Sequence, residues 1–184
     1  TGSVVSGDAT TSTTGSAVTL NSGEYYLKEI SVPSSYYLDE TVVPVHLKYQ
    51  DAETKTITAK CVKTNKQTTN EIDKLSVAGS MELSGCELAI TDEQGKEIIR
   101  WISGNQESVK VSVTEADGYT NLKTSMDEKG NLHVNGLFHD REYTLIEKRP
   151  ADGYVTAESI TYMLKQHIAE DGVVSTVVAT MFAN

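Results

Sequence analysis

REYTLIEKRPADGYVTAESI (Arg141–Ile160) becomes decisive for the fold once GEYYLKEISVPSSYYLDETV (Gly23–Val42) is laid beside it. The two align without a gap: Tyr25 meets Tyr143, Leu27 meets Leu145, Glu29 meets Glu147 and Tyr36 meets Tyr154. Each copy follows a strand-like segment that opens at a glycine, GSAVTL from Gly15 and GNLHV from Gly130. A unit used twice predicts two homologous domains in tandem. The polar run Lys66–Asn70 (KQTTN) has the composition of a linker, so the expected domains are 1–68 and 69–184, the second with an insertion near 114–129. The copies are unequal. Only 24 residues precede Tyr25, whereas about 70 separate the linker from Tyr143, so the first domain is expected to lack its opening strands.

Outward from these stretches the chain is short apolar, β-branched runs separated by turn pairs. In the first half the expected strands are Ala17–Leu20, Tyr25–Ile30, Val42–Tyr49 and Thr56–Lys63. In the second they are Cys86–Ile90, Lys96–Ile102, Ser108–Val113, Leu132–Val134, Tyr143–Glu147, Ile160–Leu164 and Val173–Phe182. Asp117–Gly118, Lys129–Gly130, Asp152–Gly153 and Asp171–Gly172 supply the turns. No segment carries a sustained 3.6-residue apolar period, and many short strands with turns between them make an all-β sandwich or barrel.

Hydrophobic content of 38% among 184 residues is enough for a core, and 23% charge is ordinary for a soluble protein. A formal charge of −10 lacks the basic footprint of a nucleic-acid binder and does not suit an anionic membrane. No run of 18 apolar residues is present, so no spanning helix is expected. With neither a signal peptide nor a sorting pattern, the chain reads as a mature piece of something longer. Cys61 and Cys86 lie inside apolar stretches and are expected to be small buried residues rather than a disulfide.

Strand alternation puts Tyr143, Leu145 and Glu147 on one face. If Tyr and Leu point into the core, Glu147 goes with them, and a buried carboxylate costs several kcal/mol unless it is paired or protonated. The same Tyr-x-Leu-x-Glu pattern at Tyr25–Glu29 argues for a purpose.

Tyr-x-Leu-x-Glu followed by Pro or Ala and then Gly-Tyr resembles the E-box of collagen-adhesin B-type (Cna-B) domains, found in Gram-positive surface proteins and pili. The stretch from Ile72 to Ser103 resembles that family's opening strands, with a lysine shortly before a Leu-x-Gly-small signature at Leu83, Gly85 and Cys86. The resemblance covers the second domain and the latter two-thirds of the first. The family usually has Ala-Pro-x-Gly where this chain has Arg-Pro-Ala-Asp-Gly (149–153), and the first copy has no glycine there. The fold implied is an immunoglobulin-like (prealbumin-like) sandwich. The chemistry implied is an intramolecular isopeptide bond between a first-strand lysine and a last-strand Asn or Asp, promoted by the E-box glutamate. Lys74 fits the lysine, Glu147 the promoter and Asn184 the acceptor, on the face shared by Thr180 and Phe182.

Burial explains how such a bond forms without an enzyme. Desolvation disfavours charge on both an amine and a carboxyl, so a neutral pair can exist. The amine is then a nucleophile held against the carboxamide, and the acid polarises the carbonyl and passes a proton to departing ammonia. In the first domain Glu29 is the corresponding promoter and Asn65 the candidate acceptor; its lysine donor is open.

The resemblance thus implies a stalk or shaft section of a cell-wall-anchored surface adhesin or pilin, whose partners are neighbouring domains of the same protein. The alternative is an adhesive module that recognises a host protein or glycan through the Asp117–Lys129 insertion. No cofactor, metal or multi-turnover catalysis is expected: His46, His133, His139 and His167 are scattered, and no phosphate loop, nucleophile elbow or dinucleotide fingerprint occurs.

Overall fold

The structure, a computed structural model, describes residues 21–51, 53, 59, 61–76, 82–165 and 176–183. Asn184, the expected strands at 17–20 and 56–63 (in large part), and any opening strand of the first repeat lie outside these residues. Among the described residues the chain is all-β, with a single turn of 3-10 helix at Glu115–Asp117.

Within the first repeat, β1 (Gly23–Leu27) and β2 (Val43–Leu47) form an antiparallel pair. The second repeat is a sandwich. One sheet has the order β10-β9-β4-β5-β6, from Ile160–Met163, Glu142–Arg149, Glu87–Asp92, Glu97–Ile102 and Asn105–Val111. The other has the order β11-β3-β8-β7, from Val177–Ala183, Thr69–Ser76, Leu132–Asn135 and Lys123–Met126. Period-2 alternation fills the space between the sheets. Ile72 and Leu132 come from one sheet, Leu88, Ile90, Ile99, Trp101, Tyr143 and Leu145 from the other, all fully or almost fully buried.

Two segments differ from the expectation. The polar stretch taken as linker already contains the start of β3, at Thr69. Its polarity has a physical use: Asn70 is buried, donating to the Val177 carbonyl at 2.7 Å and accepting from the Tyr162 hydroxyl at 2.7 Å, so a polar residue inside the sandwich is fully engaged. The insertion also contributes a strand, β7, on which exposed Lys123 and Ser125 alternate with half-buried Thr124 and Met126.

The repeats meet at a defined joint. Thr68 is buried; its amide donates to the Ser35 carbonyl at 3.0 Å and its hydroxyl donates to the Leu137 carbonyl. The His139 amide donates to the Ser34 carbonyl at 2.7 Å, and the Tyr37 amide to the Lys66 carbonyl at 2.8 Å. Asn121 of the insertion accepts from the Gln67 side chain at 3.0 Å and donates to the Tyr36 hydroxyl at 3.3 Å. The 34–38 turn of the first repeat is therefore packed onto the second, with Ser35, Tyr36, Tyr37 and Leu38 buried.

Candidate functional site

β9 carries Tyr143, Leu145 and Glu147 inward with Glu142, Thr144, Ile146 and Lys148 less buried, which is the alternation read from the sequence. Tyr143 anchors the start of the strand, its hydroxyl accepting the Phe138 amide at 2.9 Å. β4 fixes the other end by pairing Leu88 with Glu147, next to a register shift. From the opposite sheet β3 sends Lys74 inward, along with Asn70 and Ile72. The two elements bring Lys74 Nζ to 3.0 Å from Glu147 Oε1, with both side chains fully buried. A lysine and a glutamate from different sheets thus meet across the dry middle of the sandwich.

The second oxygen of Glu147, Oε2, accepts the Ala157 amide at 2.5 Å, so the carboxyl is oriented by the chain ten residues further on. Among the described residues Nζ of Lys74 and Oε1 of Glu147 make no well-directed hydrogen bond, although they are close enough for an ion pair. Polar atoms in that condition are costly unless something else engages them.

Two further residues at this site were not singled out for it in the sequence. Cys86, read as a small core residue and as the small position of the Leu-x-Gly-small signature, lies one inward position along β4's line from Leu88 and turns its thiol toward Glu147. Burial pushes that thiol up, and the Glu147 carboxyl adds to the effect, so Cys86 stays a neutral neighbour. Ser103 locks its backbone, its hydroxyl accepting the Cys86 amide at 3.0 Å. Glu82 is the other: its Oε2 accepts the Lys74 amide at 2.6 Å. Cys86 is itself the small residue of the Leu-x-Gly-small signature and Glu82 directly precedes it, but neither position is marked in the sequence as a neighbour of Lys74 or Glu147. Cys61 is half-buried rather than buried, and both cysteines are free.

The reason given for Asn184 needs correcting, though the residue itself lies outside the described set. Thr180 and Phe182 do not face the core; Phe182 is 53% exposed, while Ala179, Met181 and Ala183 are buried. β11 runs parallel to β3 with Met181 opposite Lys74.

In the first repeat Glu29 Oε2 accepts the Asp39 amide at 3.0 Å, again ten residues on. Asn65 is half-buried, and no hydrogen bond joins it to Glu29 among the described residues. The amine that reaches this region is Lys63, which donates to the carbonyls of Asp39 and of Thr41, the latter at 2.7 Å, and lies 3.6 Å from Asp39 Oδ1.

The family model for the SpaA prealbumin-like fold domain matches residues 1–63 and again 68–180, and the chain belongs to that family. No curated protein matches it. Among solved structures it is similar to the Bacillus anthracis TIE protein, at 25% identity over 89% of this chain and 26% of that one, with a TM-score of 0.43. It is similar also to the group B streptococcus pilus 2b backbone protein, at 19% identity over 84% of this chain and 53% of that one, TM-score 0.44. A third is the shaft pilin SpaA of Lactobacillus rhamnosus GG, at 14% identity over 88% and 64%, TM-score 0.38. The chain spans less than two-thirds of each of these proteins. Among the described residues no helix is long and apolar enough to cross a membrane.

Proposed function

We propose that the chain is a stalk or shaft section of a Gram-positive cell-surface adhesin or pilin, hardened by a self-made isopeptide bond from Lys74 to Asn184. The observation that carries this reading is the fully buried Lys74–Glu147 pair at 3.0 Å joining the two sheets. A buried ion pair is a poor way to gain stability, since apolar side chains of similar volume often do better. Its retention here favours a chemical use.

In the reaction the Lys74 amine, neutral once its proton has passed to Glu147, attacks Cγ of the Asn184 carboxamide. The N–C bond forms, the carboxamide C–N bond breaks, and ammonia leaves with a proton delivered by Glu147. Holding the amine in place replaces a bimolecular encounter, and exclusion of water strengthens the acid's hydrogen bond to the developing oxyanion. The Ala157 amide on Oε2 leaves Oε1 as the working oxygen. This is a single turnover without a cofactor. Glu29 and Asn65 hold the corresponding promoter and acceptor positions of the first repeat, but no lysine donor is assigned there and no second bond is expected.

In this reading the protein works outside the cell, at the cell wall, and its partners are neighbouring domains of the same surface protein.

Intact-mass spectrometry of the denatured chain tests the bond. The expected mass is lower than the sequence mass by one ammonia, with Lys74→Ala and Glu147→Gln restoring full mass. Proteolysis of the wild type should yield a branched peptide joining the segments around Lys74 and Asn184. Full mass in the wild type would sink the covalent reading, and a branch ending elsewhere would replace the acceptor.

A further inference from the structure

Lys74 lies where its strand has lost one neighbour. β11 pairs with β3 from Asn70 to Ser76, but β8, on the other side, stops at Ile72. Beyond that point the backbone groups of Lys74 need other partners. The Lys74 amide donates to Glu82 Oε2 at 2.6 Å, the Lys74 carbonyl accepts from the Leu83 amide at 2.5 Å, and Leu75 bridges to Glu82. At the residue whose amine faces Glu147, a side chain takes the amide and the Leu83 backbone takes the carbonyl.

We propose that Glu82 is the positioning residue of the cross-link site, its carboxyl group standing in for the missing strand and fixing the backbone from which Lys74 reaches Glu147. This rests on the isopeptide reading above.

The pocket around Glu82 explains why the clamp responds to pH. Lys74 and Asp73 face it from β3, and Asp127 from the turn after β7. Asp127 is held by the amides of Lys129 and Asn131 and lies 3.4 Å from His133 Nε2, while His133 Nδ1 is 3.9 Å from Glu71. Gly130 lies directly over the Glu82 stem: a Cβ there would come within 3.2 Å of Glu82 Cγ, and its φ of +94° suits glycine. Burial pushes the Glu82 carboxyl up to about 8, and the charges of Asp73 and Asp127 add to that. A group whose folded pKa is raised stabilises the fold fully below its ordinary value and loses that contribution as pH rises through the folded value. The protonated acid still offers its carbonyl oxygen to the Lys74 amide. Ionisation strengthens the hydrogen bond from the Lys74 amide but leaves a charge in a desolvated site beside Asp73 and Asp127; the net upward shift means that the ionised carboxyl gains by moving out to water, which opens the clamp.

The test is a time course of ammonia loss, read by intact mass, on the full chain refolded by dilution from urea-solubilised inclusion bodies. It is run a pH unit below and a pH unit above about 8. Glu82→Gln keeps an oxygen acceptor without an ionisable group. Its rate should match the wild type at the lower pH and exceed it several-fold at the higher. Glu82→Ala should be about ten-fold slower than Glu82→Gln at both, roughly the loss of one orienting hydrogen bond. Glu82→Gln decides the matter should Glu82→Ala not refold. A Gln-to-wild-type ratio that is the same at both pH values overturns the proposal, as does a folded Glu82→Ala that cross-links at the Gln rate. If the wild type itself never loses ammonia, the reading of Lys74 and Glu147 falls and the role of Glu82 with it. If the wild type reacts while the variants do not differ from it, only the role of Glu82 falls.

Discussion

Glu29 and Glu147 make the same local bond in different surroundings. Each occupies the fifth position of Tyr-x-Leu-x-Glu, and each accepts the backbone amide ten residues ahead, Asp39 or Ala157. Around Glu147 the interior is closed, and among the described residues the amine beside it is that of Lys74. Around Glu29 the residue is half-exposed, and Lys63 is spent on backbone carbonyls and on Asp39. The clasp between carboxyl and amide is therefore a device of the repeat's fold, shaping the turn after the E-box strand. Reactivity is something extra, requiring an uncommitted amine and exclusion of water. One motif does two jobs, and burial separates them.

The largest effect expected from breaking this comparison lies at Lys74. Lys74→Ala removes the cross-link, worth about 4–5 kcal/mol of unfolded-chain entropy for a loop of roughly 110 residues on the disulfide model. It also strands Glu147, a loss of about 3–5 kcal/mol for one partner of a buried pair. The drop in denaturation midpoint should be large, and Lys74→Met with Glu147→Leu should recover the second part but not the first. A double variant no more stable than Lys74→Ala would mean that Glu147 is not stranded. Next comes the joint. Thr68→Val leaves the Leu137 carbonyl without its hydroxyl donor and should cost about 1–3 kcal/mol in chemical denaturation. Smaller still is Glu29→Gln: the amide oxygen can still accept from Asp39, so a loss of about 1 kcal/mol or less with no change in intact mass is expected. A second missing ammonia that this substitution restores would make the repeats chemical equals.

Acidity should sharpen the contrast in the opposite sense to Glu82. The Thr41 hydroxyl and amide, with Lys63, hold the Asp39 carboxyl below its usual range. Its contribution is present above the ordinary carboxylate value and lost as pH falls through the folded one. The first repeat should therefore loosen on acidification, seen as earlier amide exchange around 36–41, and Asp39→Asn should remove that dependence. Exchange that quickens equally in both variants would assign the acid response elsewhere.

Much of this was legible from alternation alone. Tyr143, Leu145 and Glu147 share an inward face because a strand has period two, and the repeat made the glutamate conspicuous before any coordinate was known. β3 was harder. Thr69 and Asn70 look like linker because polar residues usually do, and only the Tyr162–Asn70–Val177 chain of bonds shows why a buried strand begins with them. The face of β11 is harder to read for a related reason: Phe182 is large and apolar, yet an edge strand need not hide every such residue, and Ala179, Met181 and Ala183 face inward instead, with Met181 opposite Lys74. Glu82 could not be read at all, because its role depends on where β8 stops.

The parallel pairing of β3 with β11 has a geometric corollary. Two neighbouring strands that run the same way begin at one pole of the sandwich and finish at the other. The polypeptide thus arrives at the Thr68 end and departs from the far side, displaced by the length of an eight-residue strand, about 26 Å at 3.3 Å per residue. Units joined in this manner add reach with every copy instead of doubling back, so the distance spanned from a surface is set simply by how many are strung together.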